Sequence, residues 1–239
     1  MPTSEVTNSN SQRAIYCGQQ GLSLIEILVA IFLIAIASFI AVRNTFDARA
    51  DLEDAIYGLE RAIKLASQEA VLRNRVTRLR MNSITGPDEP HEYQIEIGQH
   101  HEILLPELEE ENTRFGIDEK EKLKQQEQLD AGFGPIEEFR QYAKPLNDDI
   151  LFIGMVTDYT KQLVIDTASL YFFPIGNRDA GLIFLASVDE LAIIEVMTVS
   201  EEIFIDYAPL ENSSYANYES IARKKAQQIA QTWSNANRQ

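Results

Sequence analysis

The chain has 239 residues, and its 37 acidic and 21 basic side chains leave a formal charge of −16. That excess resists nonspecific binding to nucleic acid, because phosphate contacts need a basic surface. The only cysteine, Cys17, falls in the first 21 residues, so the body that follows can form no disulfide even in an oxidising compartment.

Residues 1–21 are polar, and Glu5 and Arg13 cancel, which leaves the whole negative balance to the rest of the chain. An uncharged run broken only by Glu26 then extends from Leu22 to Val42. As a helix it would span roughly 32 Å, against a hydrocarbon thickness of about 30 Å, so one helix can cross a bilayer. A secretory signal has a basic start and an apolar core of roughly 7 to 15 residues, with its cleavage site after the core. Here Arg13 is the only base before a longer run, although Ala35-Ile36-Ala37 has the small-x-small form of such a site. Cys17 has no apolar core before it, so it is a poor lipidation site.

Glu26 sits near the start of the run. A carboxylate in a first helical turn gains about 0.3 to 1 kcal/mol from the macrodipole, and near a membrane surface it can snorkel. At the centre of a membrane helix an ionised residue costs on the order of 2.5 to 3.5 kcal/mol. Cleavage after Gly21 would create a free amine on Leu22, a cation able to pair with this carboxylate on a neighbouring subunit.

Gly21, Leu22 and Glu26, followed by the hydrophobic run, resemble the prepilin-peptidase motif of type IV pilins and type II secretion pseudopilins. Leu22 stands where that family most often has Phe, and Gln19-Gln20 stand where its leaders carry basic residues. The resemblance implies cleavage between Gly21 and Leu22 by a prepilin peptidase, methylation of the Leu22 amine, and pairing of Glu26 with that amine on an adjacent subunit during assembly. It also implies a single-pass anchor in the bacterial inner membrane with a periplasmic body that can be drawn into a filament. The flanking bases, Arg13 before the run and Arg43 and Arg49 after it, do not fix this orientation, which rests on the resemblance. Many major pilins close a carboxyl-terminal loop with a disulfide, which this body cannot form, so a pseudopilin or minor pilin fits better.

After the run, Leu52, Ala55, Ile56, Leu59, Ala62, Ile63, Ala66 and Ala70 recur at steps of three and four. This spacing predicts one helix from about Leu22 to about Asn74, roughly 80 Å long, whose second half lies on a sheet. Gly58 is its one weak helix former. Val76, Leu79 and Met81, then Tyr93, Ile95 and Ile97, predict two strands around the turn Gly86-Pro87-Asp88. The stretch from Glu107 to Asp130 carries nine acidic and four basic residues, which reads as a solvated helix or mobile insertion, with Pro135 and Pro145 continuing an irregular region. No spaced loop of ligands marks it as a calcium site.

Short runs rich in Ile, Val, Phe and Tyr then predict strands at 150–156, 163–165, 170–173, 182–187, 191–199 and 203–207. The segment from Tyr171 to Ile183 has the form strand, turn, strand, with Pro174 and Gly176 supplying the turn. It resembles the F-x-P-x-G hairpin of the GspH and FimT-like minor pseudopilin family. That family's long helix likewise ends in an Asn-, Arg- and Val-rich approach to a first strand, as at Asn74-Arg75-Arg78. Finally, Tyr218, Ala222, Ala226, Ile229 and Trp233 share a face, which predicts a terminal helix packed on the sheet. Its Arg223, Lys224 and Lys225 leave a second reading, a basic arm docking an acidic subunit.

The expected organisation is therefore α+β. It comprises a leader (1–21), a transmembrane half-helix (22–42), a periplasmic half-helix (43–75), a β-rich domain of antiparallel sheet packed on the helix in a pilin-like fold (76–210, acidic insertion about 107–149), and a helical extension (211–239). His91, His100 and His101 lack helical ligand spacing, and there is no phosphate loop or nucleophile elbow, so no enzyme activity, cofactor or metal is expected. The reading that follows is a minor pseudopilin of a type II secretion pseudopilus. Its expected partners are the prepilin peptidase, other pseudopilins or pilins, the inner-membrane assembly platform and the lipid bilayer, with no nucleic acid. The alternatives are a minor pilin of a type IV pilus and a signal-anchored periplasmic enzyme or binding domain.

Overall fold

A computed structural model describes residues 24–83, 91–99, 124, 127–136, 145–147, 149–211, 213–214 and 216–236. The chain divides into two compact units, residues 1–43 and 44–239. The described part of the first is helix, the beginning of α1 (Leu24–Arg73). Among the described residues no helix is long and apolar enough to cross a membrane. The predicted span from Leu22 to Val42 includes residues 22, 23, 37 and 39–42, whose side chains lie outside those described.

In the second unit, α1 presents the predicted stripe: Leu52, Ile56, Leu59, Ile63, Ala66 and Ala70 are buried in one core. Each large aliphatic group placed there contributes about 1.5–3 kcal/mol. Gly58 is the weak helix former for a reason the sequence hid, because a Cβ there would stand 2.9 Å from the Tyr93 hydroxyl, so the sheet's tyrosine needs the gap. The helix ends on Asn74, whose φ of 50° is left-handed. The Asn74 N–H donates to the Val71 carbonyl (3.3 Å) and the Arg75 N–H to the Ala70 carbonyl (3.1 Å), a Schellman ending that turns the chain into the first strand.

Among the described residues eight strands follow, β1 (Thr77–Asn82), β2 (Glu92–Gly98), β3 (Phe133–Pro135), β4 (Leu151–Thr157), β5 (Thr167–Phe172), β6 (Gly181–Ala186), β7 (Glu190–Val196) and β8 (Ile203–Pro209), then helix α2 (Tyr218–Ala236). They form two antiparallel four-stranded sheets, ordered β3-β2-β1-β5 and β4-β6-β7-β8. The inner faces of both sheets share the core with α1: Leu79, Met81, Tyr93 and Leu170 from the first meet Phe152, Met155, Ile183, Leu185 and Ile194 from the second. The other face of the second sheet, through Ile153, Leu182, Phe184 and Leu191, is covered by Ala222, Ala226 and Ala230 of α2. Covered on both sides, β6 is buried at every position, which is why it reads as a continuous apolar run.

Three expectations are corrected. Leu163 to Ile165 is not a strand; Val164 makes only an isolated bridge to Met155, with mutual backbone bonds of 2.8 and 2.9 Å, beside a register shift in β4 between Phe152 and Gly154. Pro135 belongs to a strand, the short edge β3, where a missing N–H costs least. The segment from Tyr171 to Ile183 is no hairpin, because β5 pairs with β1 while β6 pairs with β4 and β7 in the other sheet. Its turn does close locally: the Phe173 N–H donates to Asn177 (2.9 Å), the Gly176 N–H donates to Phe173 (3.0 Å), and Gly176 takes a φ of 89°. The strands then diverge, so the turn switches sheets. The turn Gly86-Pro87-Asp88 and most of the acidic segment lie outside the described residues.

The terminal helix follows the packing expectation. Tyr218, Ile221, Ile229 and Trp233 lie against the second core cluster, the Trp233 Nε1–H donates to Glu195 (3.2 Å), and Lys225 Nζ donates to the Pro209 carbonyl (2.6 Å). Arg223 pairs within the helix with Glu219 at 2.6 Å, so two of the three bases of the supposed docking arm are engaged by their own domain.

Candidate functional site

The first turns of α1 are apolar all round. Leu24, Ile25, Ile27, Leu28, Val29, Ile31, Phe32, Leu33, Ile34 and Ile36 are between 41% and 81% exposed. Each such side chain left in water forgoes about 1.5–3 kcal/mol, so this surface requires an apolar environment. The single charge among them, Glu26, stands exposed in the first described turn, and among the described residues it has no ion-pair partner. Gly21 and Leu22, the expected cleavage and methylation positions, lie outside the described residues, as do His100 and His101. His91 is half-buried; burial foremost lowers its pKa, Glu219 acting the other way, and its Nδ1 has no hydrogen-bond partner. Among the described residues no group of His, Cys, Asp or Glu could hold a metal ion.

Three polar positions of the body have buried roles that the sequence did not reveal, although Arg78 stands in the Asn74-Arg75-Arg78 approach to the first strand. On the outer face of the first sheet Arg78 is fully buried, donating to Glu96 Oε2 at 2.6 Å and to Asp130 Oδ1 at 2.5 Å, with its guanidinium 4.3 Å from the centre of the Phe133 ring. Burial disfavours its charge, but Glu96 and Asp130 more than offset this and its pKa is raised. The end of the acidic segment is thereby fastened to the sheet. Arg178, in the sheet-switching turn, donates through Nε to the Met197 carbonyl (2.8 Å) and through Nη2 to the carbonyls of Ser200 and Glu202, fixing that turn to the β7–β8 turn. Strand periodicity could have flagged Arg78, because its neighbours Leu79 and Met81 face the core and place it on the opposite face of a central strand.

Asp179, in the same turn, is the third. Burial foremost pushes its pKa from 3.8 to about 7, with Asp158 adding to the rise and a Thr157 hydrogen bond opposing it; among the described residues Oδ2 has no partner. The folded state therefore keeps a proton that the unfolded chain loses, and this contribution to stability is lost as pH climbs from about 4 to about 7. Asp179→Asn should remove that slope. In urea titrations of the 44–239 unit, the variant should gain on the order of 2–4 kcal/mol relative to wild type between pH 4 and pH 8. Comparing the two proteins cancels the opposite trend from His91, and a difference independent of pH would refute the assignment.

Residues 17–42 match the prokaryotic N-terminal methylation motif, which contains Gly21, Leu22 and Glu26. The motif indicates a type IV pilin-like protein, a subunit of a pilus or pseudopilus. It implies processing by a prepilin peptidase and assembly with other pilin-like subunits, and it points to a membrane anchor with the body on the outer side. No curated protein and no solved structure matches the chain.

Proposed function

We propose that this chain is a noncatalytic minor pseudopilin of a type II secretion pseudopilus, with a pilin-like fold, anchored in the bacterial inner membrane with its body in the periplasm. Prepilin peptidase cuts between Gly21 and Leu22, the new Leu22 amine is methylated, and the assembly platform draws the subunit into a short filament whose growth helps move proteins across the outer membrane. The observation that carries this reading is the coincidence of the methylation motif with Glu26, which among the described residues has no ion-pair partner and stands in an otherwise apolar stretch of helix surface. In such surroundings Glu26 and an amine from the next subunit each lower the cost of the other, which makes lateral assembly in the correct axial register favourable. The cysteine-free body supports the assignment to a minor subunit; the −16 balance speaks against nucleic acid as a partner.

Intact mass of the membrane-extracted chain tests the processing step. The expected species begins at Leu22 and carries one added methyl group; a chain beginning at Ser38, or an uncut one in a host with the peptidase, overturns the proposal. Gly21→Val should give only the uncut mass. Deleting the gene should abolish protein secretion and leave pili intact, whereas loss of pili with secretion intact would assign the subunit to a type IV pilus.

A further inference from the structure

Strand β8 closes one edge of the second sheet, and its two halves are treated differently. The Leu210 N–H donates to the Asp189 carbonyl at 2.8 Å, which sets the parity: even-numbered residues of β8 bond toward β7, and odd-numbered ones turn their backbone groups outward. In the second half the outward donors are blocked and the last carbonyl is taken. The Tyr207 N–H is taken by Asp206 Oδ1 at 2.8 Å, Pro209 has no N–H, and the Pro209 carbonyl accepts from Lys225. These are the devices that stop an edge from pairing with another chain. In the first half, the outward N–H and C=O groups of Ile203 and Ile205 have no partner among the described residues.

The open half also carries apolar side chains in water. Phe204 is 45% exposed, and Val199 in the preceding turn and Ile175 in the neighbouring one are each 85% exposed. The two turns are held together by the Arg178 N–H on the Thr198 carbonyl (3.0 Å) and by the buried Arg178 guanidinium, so the patch is preorganised and loses little entropy on binding. Exposed acids bracket it, Glu201 and Glu202 before the open stretch and Asp206 after it.

We propose that the open half of β8 receives an extended apolar strand, flanked by basic residues, from a different subunit of the filament; this rests on the filament reading above. Backbone pairing with Ile203 and Ile205 supplies the affinity, contacts with Phe204, Val199 and Ile175 the specificity, and the acidic bracket selects the basic flanks. A second copy of this chain is a poor occupant, because it brings the same acids and the same −16 balance to the contact.

Amide hydrogen exchange on the full chain, compared in detergent and in filaments sheared from cells, tests the pairing. In filaments the Ile203 and Ile205 amides should exchange about tenfold or more slowly, with Tyr207, already bonded to Asp206, unchanged. Photocrosslinking from position 204 in the same filaments should give an adduct mapping to an apolar stretch of another subunit with Lys or Arg on its flanks. Protection already present in detergent, edge amides unchanged in filaments, or an adduct to a second copy each overturns this proposal alone. A chain never recovered in filaments overturns the filament reading and this proposal with it.

Discussion

Glu26→Val leaves the subunit inserted and cleaved but nearly absent from filaments. Valine suits an apolar helical surface better than glutamate, so anchoring cannot suffer from the change. Cleavage is also spared, since the substitution falls five residues beyond Gly21. What is lost is the partner of the neighbouring Leu22 amine, which must then enter the packed helices unpaired. An uncompensated charge there costs on the order of 2.5 to 3.5 kcal/mol, equivalent to roughly a hundredfold in the assembly equilibrium. Immunoblots of sheared filaments against the membrane fraction measure the ratio, with Glu26→Asp as a control that keeps the charge and should recover part of it. Wild-type recovery of the valine variant would sink the pairing mechanism.

Arg78→Ala should destabilise the 44–239 unit by about 3–5 kcal/mol in urea titrations. The guanidinium is wholly buried, and its removal leaves the largely buried Glu96 and the half-buried Asp130 facing each other without their nearest cation. Arg80, whose nitrogens stand 3.8 and 4.0 Å from the same two carboxylates, keeps a longer ion pair with each and offsets only part of the loss. The stacking on Phe133 is lost as well. Replacing Arg78, Glu96 and Asp130 together by apolar residues of similar volume should recover most of the loss, because the penalty comes from buried carboxylates left with weaker compensation rather than from a missing attraction. A loss below about 1 kcal/mol in the single variant would show that the cluster is solvated in solution.

Much of this architecture is legible in the residues because its cause is local. The 3.6-residue stripe of α1 and the alternation of β1, β2 and β5 each encode one buried face, and Asn74 announces the helix ending. The sheet switch after β5 is not legible. Pro174 and Gly176 specify a tight turn with equal force whether the flanking strands pair with each other or part, and that outcome depends on β1 and β4, both far away in sequence. The stretch around Leu163 has strand composition without a partner long enough to ladder with. The Arg78 cluster joins residues 18 and 52 positions apart, and no periodicity connects them. At the candidate site the converse holds: Gly21, Leu22 and Glu26 are readable because one short segment must satisfy both a peptidase and a bilayer.

The neck of the acidic segment has a consequence for how this protein can change. The Gln99 N–H donates to the Gly132 carbonyl at 3.0 Å, and Gly98 pairs with Phe133, so the chain leaves the first sheet and returns to it at one spot. Closing such a loop costs entropy that grows only with the logarithm of its length, about 0.6 kcal/mol for each doubling. By this scaling, a change in the number of residues between Gln99 and Asp130 adds little to the closure cost, while Asp130 and β3 stay on the sheet. The neck is a port at which new surface can be grafted without renegotiating the core, and selection can alter what the segment displays independently of what keeps the subunit folded.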